Sequence, residues 1–132
     1  MLSGTGFQDE MRASTAIPGR SREEVDVAEF VPVVLRGLVQ HVESSEQSLD
    51  SMRLVIVGSD TWYVEDHQRA RRNLAPQTRL INSYGLTETT IDSSYFEGDV
   101  QSLPDTGIVP IGRPMANVRL YVLDRHKRPV PI

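Results

Sequence analysis

Apolar residues in the first part of the chain recur at two spacings, one typical of strands and one typical of a helix. Val25, Val27 and Phe30 form a short apolar run that predicts a β-strand. The segment from Pro32 to about Ser44 follows, and the first turn of a helix tolerates a proline because its missing N–H would be unpaired there anyway. The apolar residues of this segment predict one buried helical stripe, made of Val31, Leu35, Leu38 and Val42.

The same strand and helix pattern repeats further along the chain. Leu54 to Val57 is an unbroken apolar run that ends at Gly58, as is typical of an interior parallel strand covered on both faces. A helix follows, with Ser59, Asp60 and Thr61 as candidates for its N-cap. Three arginines near the C-terminal end of this helix complement the helix dipole, namely Arg69, Arg71 and Arg72. We interpret them as a solvated face.

A third strand is predicted at Arg79 to Asn82, which completes the order β-α-β-α-β with short connections. This order predicts an α/β fold containing part of a doubly wound parallel sheet. The sequence after Asp92 predicts only β structure, with a strand at Ser93–Phe96 and a half-buried strand at Asn117–Asp124 that follows a turn at Gly112–Pro114. We therefore divide the chain into an irregular segment (1–22), an α/β portion (23–92) and a β-rich portion (93–132).

Composition excludes several classes of function. The 132 residues carry a net charge of −4 and contain no cysteine, so a cysteine nucleophile, a thiolate metal site and a disulfide framework are absent from this sequence. The acidic balance provides no basic surface for nucleic acid or for an anionic membrane. No run of about eighteen apolar residues occurs. We expect a soluble, cytoplasmic protein with neither nucleic acid nor membrane as a partner.

The stretch with the most chemistry is Leu80 to Asp92, in which an apolar strand runs into a glycine turn rich in hydroxyls. The ring of Tyr84 can cover a base, Gly85 lets the backbone approach a ligand, and the side chains of Thr87 and Glu88 can reach phosphate oxygen and a cation. Ligands of open α/β sheets bind beyond the carboxyl ends of the strands. This turn and the one at Gly58 should therefore share a crevice if their strands are neighbours.

The string Asn82-Ser83-Tyr84-Gly85-Leu86-Thr87-Glu88 resembles the N-x-Y-G-x-T-E motif of adenylate-forming, AMP-binding enzymes, specifically the adenylation domains of nonribosomal peptide synthetases. Leu54 to Thr61 resembles the strand and "GGE" or "GSA" turn of that family. Val109 to Pro114, followed by Asn117 to Asp124, resembles its "PIGRP…N…YVLD" segment. The resemblance extends from about Val25 to Ile132, so the chain resembles a central fragment of an adenylation domain.

The resemblance implies ATP-dependent activation of an amino acid, or a related carboxylic acid, as its acyl-adenylate. Transfer to the phosphopantetheine thiol of a carrier domain would follow. Asn82 would then lie at the edge of the adenine, Tyr84 would stack on it, Thr87 would contact the α-phosphate and Glu88 would help to hold Mg²⁺. Thr87 and Glu88 are the candidate catalytic residues, and the candidate nucleotide-binding residues are Asn82, Ser83, Tyr84, Gly85 and Thr87.

The resemblance also implies a pocket for the substrate side chain, and the candidate residues are Glu29, Val55, Val57, Gly58, Ser83, Ile91 and Asp92. The three apolar members are equally well explained as sheet core. The two carboxylates need a polar or cationic partner if they are buried, or else they face solvent. We therefore predict a polar or basic substrate rather than a large aromatic one.

Two departures from the family pattern stand out. Leu86 occupies the usual place of a proline, and Ser59-Asp60 occupies the usual place of Gly-Glu. The family's glycine-rich phosphate loop with its lysine, its ribose-binding aspartate, its hinge and its catalytic lysine have no counterparts in this sequence. The remaining parts of an adenylation domain are thus expected partners. Two alternatives stay open: a non-catalytic scaffold fragment, and a Rossmann-like dinucleotide-binding unit, although G-x-G-x-x-G is missing.

Overall fold

A computed structural model describes residues 25–130, and a single mixed sheet is its central element. The sheet has the strand order β1-β2-β3-β4-β5, in which β1 to β3 are parallel and β4 and β5 are antiparallel to their neighbours. In chain order the elements are β1 (Val27–Phe30), α1 (Pro32–Glu43), β2 (Leu54–Val57), α2 (Val64–Arg72), β3 (Arg79–Tyr84), a 3₁₀ turn (Thr87–Thr89), β4 (Ser94–Phe96) and β5 (Arg113–Pro114). The predicted α/β class and its β-α-β-α-β order are confirmed.

The register of the strands assigns each side chain to one face of the sheet. Phe30, Val57 and Asn82 lie side by side, so they share a face. Right-handed crossovers between sequential neighbours put both helices on one side, and the core lies there. The buried apolar residues of this core are Leu35, Val39, Val42, Leu49, Met52, Val55, Val57, Trp62, Val64, Ala70, Leu74, Leu80, Val100 and Val109.

The opposite face of the sheet is less covered than the sequence predicted. The run at β2 alternates between half-buried Leu54 and Ile56 and fully buried Val55 and Val57. The half-buried pair lies on the face that the described helices do not cover. The β2 strand is interior, as predicted, but residues 25–130 supply a helical layer to one face only.

Helix α1 buries a slightly different stripe from the predicted one. Leu35 and Val42 are buried as expected, and Val39 is buried more deeply than Leu38. Val31 is exposed because it is the N-cap residue and precedes the first helical turn. Within the described residues, neither helix is long and apolar enough to span a bilayer.

The start of α2 contradicts the predicted cap. Tyr63 is its N-cap and forms no side-chain cap hydrogen bond, while the carboxylate of Asp60 accepts instead from the N–H of Thr61 at 2.6 Å. Backbone carbonyls of a distant loop satisfy the first helical N–H groups, because Val64 donates to the oxygen of Gly107 at 2.9 Å. Local sequence carries no signal for such a long-range cap.

The interpretation of the α2 arginines as a solvated face is wrong only for Arg71, whose hydrogen bonds are partly buried, since the ion pair of Arg69 is exposed. Arg69 pairs with the carboxylate of Glu43 on α1. Arg71 donates to the carbonyl oxygen of Thr78 at 2.5 Å and to that of Ala75. Arg72 is exposed. The first arginine therefore links the two helices, and the second closes the turn that leads into β3.

The end of the described chain departs most from prediction. The predicted turn at Gly112–Pro114 contains β5, whose Arg113 pairs with Tyr95 of β4. The predicted strand at Asn117–Asp124 is wrong: it forms only an isolated bridge from Leu123 to Pro129. A half-buried strand needs a long neighbouring strand and a packed face. Within residues 25–130 the backbone of this segment pairs only with the 128–130 return of its own turn, and its exposed apolar side chains are Leu120, Tyr121, Val122 and Leu123.

The sheet also bears on the division of the chain into segments. It runs from β1 in the α/β portion to β4 and β5 in the β-rich portion, so strands of both portions belong to one layer. The segment 1–22 lies outside the described residues. The division at 92 and 93 stays a prediction.

Candidate functional site

The carboxyl ends of β2 and β3 meet at one edge of the sheet, as predicted for neighbouring parallel strands. Val57 pairs with Asn82, and the next residues, Gly58 and Ser83, are in close contact. A Cβ on Gly58 would lie 2.4 Å from Ser83 Oγ and 3.2 Å from its carbonyl oxygen. A side chain at position 58 would therefore force the Ser83 hydroxyl to move. The chain turns sharply just after it, since Ser59 has a φ of 68°.

Gly85 is packed against the backbone of its own loop, and its predicted contact with a ligand stays a prediction. A Cβ at this position would lie 1.5 Å from the carbonyl oxygen of Ile91 and 2.7 Å from Asp92 Cα. On the side where a Cβ would stand, the returning backbone of the same loop therefore fills the space. Thr90 and Ile91 reach this position with φ values of 67° and 70°, a left-handed conformation that β-branched residues rarely adopt.

Asn82 joins the motif to a distant loop. Its Nδ2 donates to the carbonyl oxygens of Val109 at 3.3 Å and Pro110 at 2.9 Å. Carbonyl oxygens only accept, so the amide nitrogen must point towards them. The Oδ1 atom is left as an acceptor. The side chain is buried. Its Oδ1 atom can still accept a hydrogen bond from a donor such as the amino group of a base.

The side chains proposed to contact a nucleotide are accessible. Tyr84 is 40% exposed, and Thr87 and Glu88 are exposed on the 3₁₀ turn that follows it. An aromatic face, a hydroxyl and a carboxylate are thus presented at the end of β3. These groups fit a stacked base, a phosphate oxygen and a cation, respectively.

A magnesium ion fits this turn as an ion shared between a carboxylate and a bound nucleotide, not as an ion held by the protein alone. Within the described part of the chain, no three side chains among His, Asp and Glu converge to form a metal cage. Mg²⁺ bound with a nucleotide commonly uses one or two carboxylates together with phosphate oxygens and water. The single exposed carboxylate of Glu88 is compatible with that arrangement.

The sequence relationships agree with this geometry. Residues 9–132 match the AMP-binding enzyme family. The chain belongs to that family. Gramicidin S synthase 2 of Brevibacillus brevis is 33% identical over 109 residues, and tyrocidine synthase 3 of Brevibacillus parabrevis is 35% identical over 111. These alignments cover 83% and 84% of the chain but 2% of each synthase.

Solved structures show the same relationship. A crystal structure of the nonribosomal peptide synthetase FmoA3 (S1046A) superposes with a TM-score of 0.71 at 36% identity, covering 80% of this chain and 11% of that one. PA1221, an NRPS protein containing adenylation and PCP domains, superposes with a TM-score of 0.68 at 26% identity, covering 80% and 20%. The fold is therefore a fragment of the adenylation-domain fold, which replaces the dinucleotide-binding alternative.

In this AMP-binding chain, the predicted substrate-pocket residues do not form one wall. Val55 and Val57 are fully buried on the helix-covered face. Glu29 pairs with Ile56, and alternation along the strands puts it on the opposite face. The grouping of Glu29 with the two valines is therefore wrong. Gly58 and Ser83 do adjoin each other.

The remaining candidates, Ile91 and Asp92, lie on the returning arm of the loop. Ile91 is 70% exposed, and the backbone of both residues contacts Gly85. Ser83 Oγ is buried without a hydrogen-bond partner in the described residues. An unpaired buried hydroxyl costs free energy, so an additional polar group at this position would stabilise it.

Sequence reasoning missed two features, one in this region and one at the other end of β3. The first is the hydroxyl pair Thr89 and Ser93, whose oxygens are 3.0 Å apart; a threonine three residues after Leu86 was the available signal. The second is His67, which is buried against Trp62 with ring centroids 4.8 Å apart. His67 lines an open groove of about 570 Å³ with Arg71 and Asp99. Its neighbours include the residues at the amino end of β3, at the opposite end of that strand from the Tyr84 turn.

Proposed function

We propose that the chain is the nucleotide-facing part of an adenylation domain that activates an amino acid, or a related carboxylic acid, as its acyl-adenylate. The observation that carries the proposal is the position of the Asn82–Glu88 motif in an AMP-binding family member. The motif lies at the carboxyl end of β3, where Tyr84, Thr87 and Glu88 are all accessible. Open α/β sheets bind ligands at this edge.

Each side chain has a role that matches its chemistry. Tyr84 stacks on the adenine ring, and Oδ1 of Asn82 accepts from the exocyclic amino group. Thr87 donates its hydroxyl to the α-phosphate. Glu88 supplies an anionic oxygen to Mg²⁺, and the bound cation would offset the charge that develops on the phosphates.

The residues on the acid side are Gly58, Ser83, Ile91 and Asp92. The unpaired hydroxyl of Ser83 next to Gly58 provides one polar contact for the substrate. Strand alternation puts Glu29 on the same face as Ser83, but on β1, two strands away. Asp92 lies in the loop that follows β3, and it is the carboxylate that supports a polar or basic substrate. An aspartate beside a bound cationic or hydroxylated side chain gains a partner that it otherwise lacks.

Two structural relatives support this assignment. FmoA3 has been crystallised in AMPPNP-bound and α-methyl-L-serine-AMP-bound forms. PA1221 contains adenylation and PCP domains. By analogy, the acyl group passes from the adenylate to the phosphopantetheine thiol of a carrier domain, with AMP as the leaving group. The nucleotide substrate is ATP, and pyrophosphate leaves in the first step.

The test is acid-dependent ATP–pyrophosphate exchange by the full-length protein as it is encoded, with a panel of amino acids and related carboxylic acids. The variants are Glu88→Gln, which keeps the shape but removes the charge, and Glu46→Gln, a matched change at an exposed loop residue. We expect exchange with one group of acids. Glu88→Gln should lower the rate about a hundredfold and raise the Mg²⁺ requirement, while Glu46→Gln should match the wild type.

An unchanged rate and unchanged magnesium dependence in Glu88→Gln would exclude Glu88 as a ligand. A folded full-length protein that gives no exchange with any acid would contradict the proposed function and support the scaffold alternative. For the substrate hypothesis, Asp92→Asn should selectively lower kcat/KM for a polar or basic acid by about tenfold or more. Preference for an aliphatic or aromatic acid, unaltered by Asp92→Asn, would contradict it.

A further inference from the structure

The loop that carries Thr87 and Glu88 is closed by a side-chain hydroxyl as well as by its backbone. Thr89 Oγ1 lies 3.1 Å from the carbonyl oxygen of Leu86 and 3.3 Å from its N–H nitrogen. It also lies 3.0 Å from Ser93 Oγ. The two proposed catalytic residues are the two residues between Leu86 and Thr89.

The direction of these hydrogen bonds follows from the chemistry of a hydroxyl. One O–H can donate once, and the oxygen can accept twice. A carbonyl accepts only, so Thr89 donates to the oxygen of Leu86 and accepts from its N–H. The remaining lone pair accepts from Ser93, which must therefore be the donor. All hydrogen-bonding positions of the Thr89 hydroxyl are then used.

Ser93 connects this closure to the sheet. Its N–H donates to the carbonyl oxygen of Tyr84 at 2.8 Å, and its own carbonyl accepts from Met115 at 3.0 Å. The side chain is buried, and β4 begins at the next residue. The hydroxyl of Thr89 thus bonds to a residue fixed by backbone hydrogen bonds on both sides.

Little else holds the loop in this shape. Leu86 and Ile91 are exposed, so burial contributes little, and the left-handed conformations of Thr90 and Ile91 are unfavourable for β-branched residues. Such conformations persist where surrounding bonds fix them. The available bonds are those of the Thr89 hydroxyl and a few backbone bonds. Thr89 and Ile91 donate to Leu86 at 2.9 and 3.2 Å, Thr90 donates to Thr87 at 3.3 Å, and Ser93 closes the base of the loop on Tyr84.

We propose that Thr89 and Ser93 are positioning residues that hold the Thr87–Glu88 turn in its nucleotide-binding shape before the nucleotide arrives. The proposal rests on the proposed function, because it assumes that Thr87 and Glu88 contact the nucleotide and its cation. A fixed turn avoids the loss of conformational entropy that a flexible turn would undergo on binding. Neither residue needs to touch the substrate.

The test compares Thr89→Val, Thr89→Ser, Ser93→Ala and Thr90→Val in the full-length protein. Valine has the shape of threonine without its hydroxyl, and serine restores the hydroxyl. Thr90→Val is the matched control, because Thr90 is the adjacent threonine of the same loop and is also exposed. Its own hydroxyl forms no hydrogen bond within residues 25–130. Two readouts are needed: deuterium uptake by the backbone of residues 84–93, which does not depend on activity, and ATP–pyrophosphate exchange.

We expect Thr89→Val to increase deuterium uptake in residues 84–93, to lower kcat roughly ten- to a hundredfold and to raise KM for MgATP, with KM for the acid nearly unchanged. Thr89→Ser should restore both readouts to within about threefold. Ser93→Ala should have a smaller effect, because it removes one of the three contacts of Thr89.

Deuterium uptake in Thr89→Val equal to that in Thr90→Val overturns the proposal, whatever the activity. So does a loosened loop with unchanged kinetics, because the shape of the loop then has no bearing on nucleotide use. Equal losses in the valine and serine variants also overturn it. Absence of pyrophosphate exchange in the wild type is a failure of the proposed function instead; the deuterium data then still decide whether the hydroxyl pair orders the loop.

Discussion

At the scale of single residues, the contact between Gly58 and Ser83 is the tightest constraint on the acid side of the site. We expect Gly58→Ala to displace the Ser83 hydroxyl, because the new methyl would lie 2.4 Å from Oγ and 3.2 Å from a backbone oxygen that cannot easily move. The kcat/KM for the acid should fall by about tenfold or more. The measurement is acid-dependent pyrophosphate exchange.

Gly37→Ala is the control for this substitution. Gly37 lies inside α1, where nothing comes within 4 Å of an added Cβ. It should stabilise the protein by about 0.5–1 kcal/mol, because alanine restricts the unfolded chain and favours the helix. Its kinetics should match the wild type. Equal activity of both alanine variants would show that the Ser83 contact has no bearing on the reaction.

The buried ring of His67 should make the free energy of unfolding of the protein depend on pH. Burial and, to a smaller extent, the Arg71 guanidinium together lower the pKa of His67 to about 4, while Asp99 opposes the shift. The folded pKa lies below the unfolded value of about 6.5, so folding favours the neutral ring. This contribution is fully present above about pH 6.5, is lost as the pH falls towards 4, and amounts to roughly 3 kcal/mol at most.

We expect the free energy of unfolding, measured by urea denaturation, to decrease less between about pH 7 and about pH 4.5 in His67→Gln than in the wild type. His41→Gln, at an exposed histidine, is the control. Glu43 and Glu97 also have pKa values lowered by hydrogen bonds from Arg69 and Arg79, and they lose stability in the same direction. The difference between variants therefore isolates His67, and parallel pH curves would refute the assignment.

At the scale of elements, the sequence predicted what depends on local pattern. The strands from Val27 to Tyr84 and both helices follow from apolar spacing and from glycine and proline positions. The pairing of Arg113 with Tyr95 and the carbonyl cap at Val64 depend on residues distant in sequence, and no local signal encodes them. The motif residues could be placed at the end of β3, but the bonds of Thr89 required the path of the returning loop.

Attachment of the 108–110 segment to β3 depends on Asn82. Asn82→Asp would place a carboxylate against the carbonyl oxygens of Val109 and Pro110, which offer no proton. We expect a loss of about 1–3 kcal/mol in the free energy of unfolding and faster deuterium uptake in the segment. Asn117→Asp, at an exposed left-handed residue, should change neither. A stable Asn82→Asp protein with a protected segment would be inconsistent with this role.

At the scale of the whole molecule, two surfaces have the apolar pattern of buried structure but are not fully covered by other residues of the described range, 25–130. One is the sheet face that carries half-buried Leu54 and Ile56, and the other is the exposed segment from Leu120 to Leu123. Parallel sheets normally have both faces covered. The chain spans 2% of the synthases that it resembles. We infer that the residues that pack against these two apolar surfaces lie outside 25–130. The strand prediction at Asn117–Asp124 fails for the same reason.

The same reasoning leads to a prediction for the chain by itself. We expect the 132-residue chain to fold its sheet but to catalyse no acid-dependent ATP–pyrophosphate exchange. Phosphoryl and adenylyl transfer depend on several preorganised charges around the phosphates. Lys127 is the one lysine of the sequence, and it lies in an exposed turn with a φ of 61°. The lysine-bearing phosphate loop and the catalytic lysine of adenylation domains therefore have no counterpart in this sequence.

The measurement pairs circular dichroism with pyrophosphate exchange, using the isolated chain and the full-length protein at equal concentration. Cooperative unfolding of the isolated chain without exchange is the expected result, and it would show that the sheet and the Tyr84 turn form without a complete set of phosphate-binding groups. Exchange by the isolated chain at a rate close to that of the full-length protein would contradict it. Thr87, Glu88 and the bound cation would then be sufficient to stabilise the transferring adenylyl group, and the charges assigned to other parts of an adenylation domain would be dispensable.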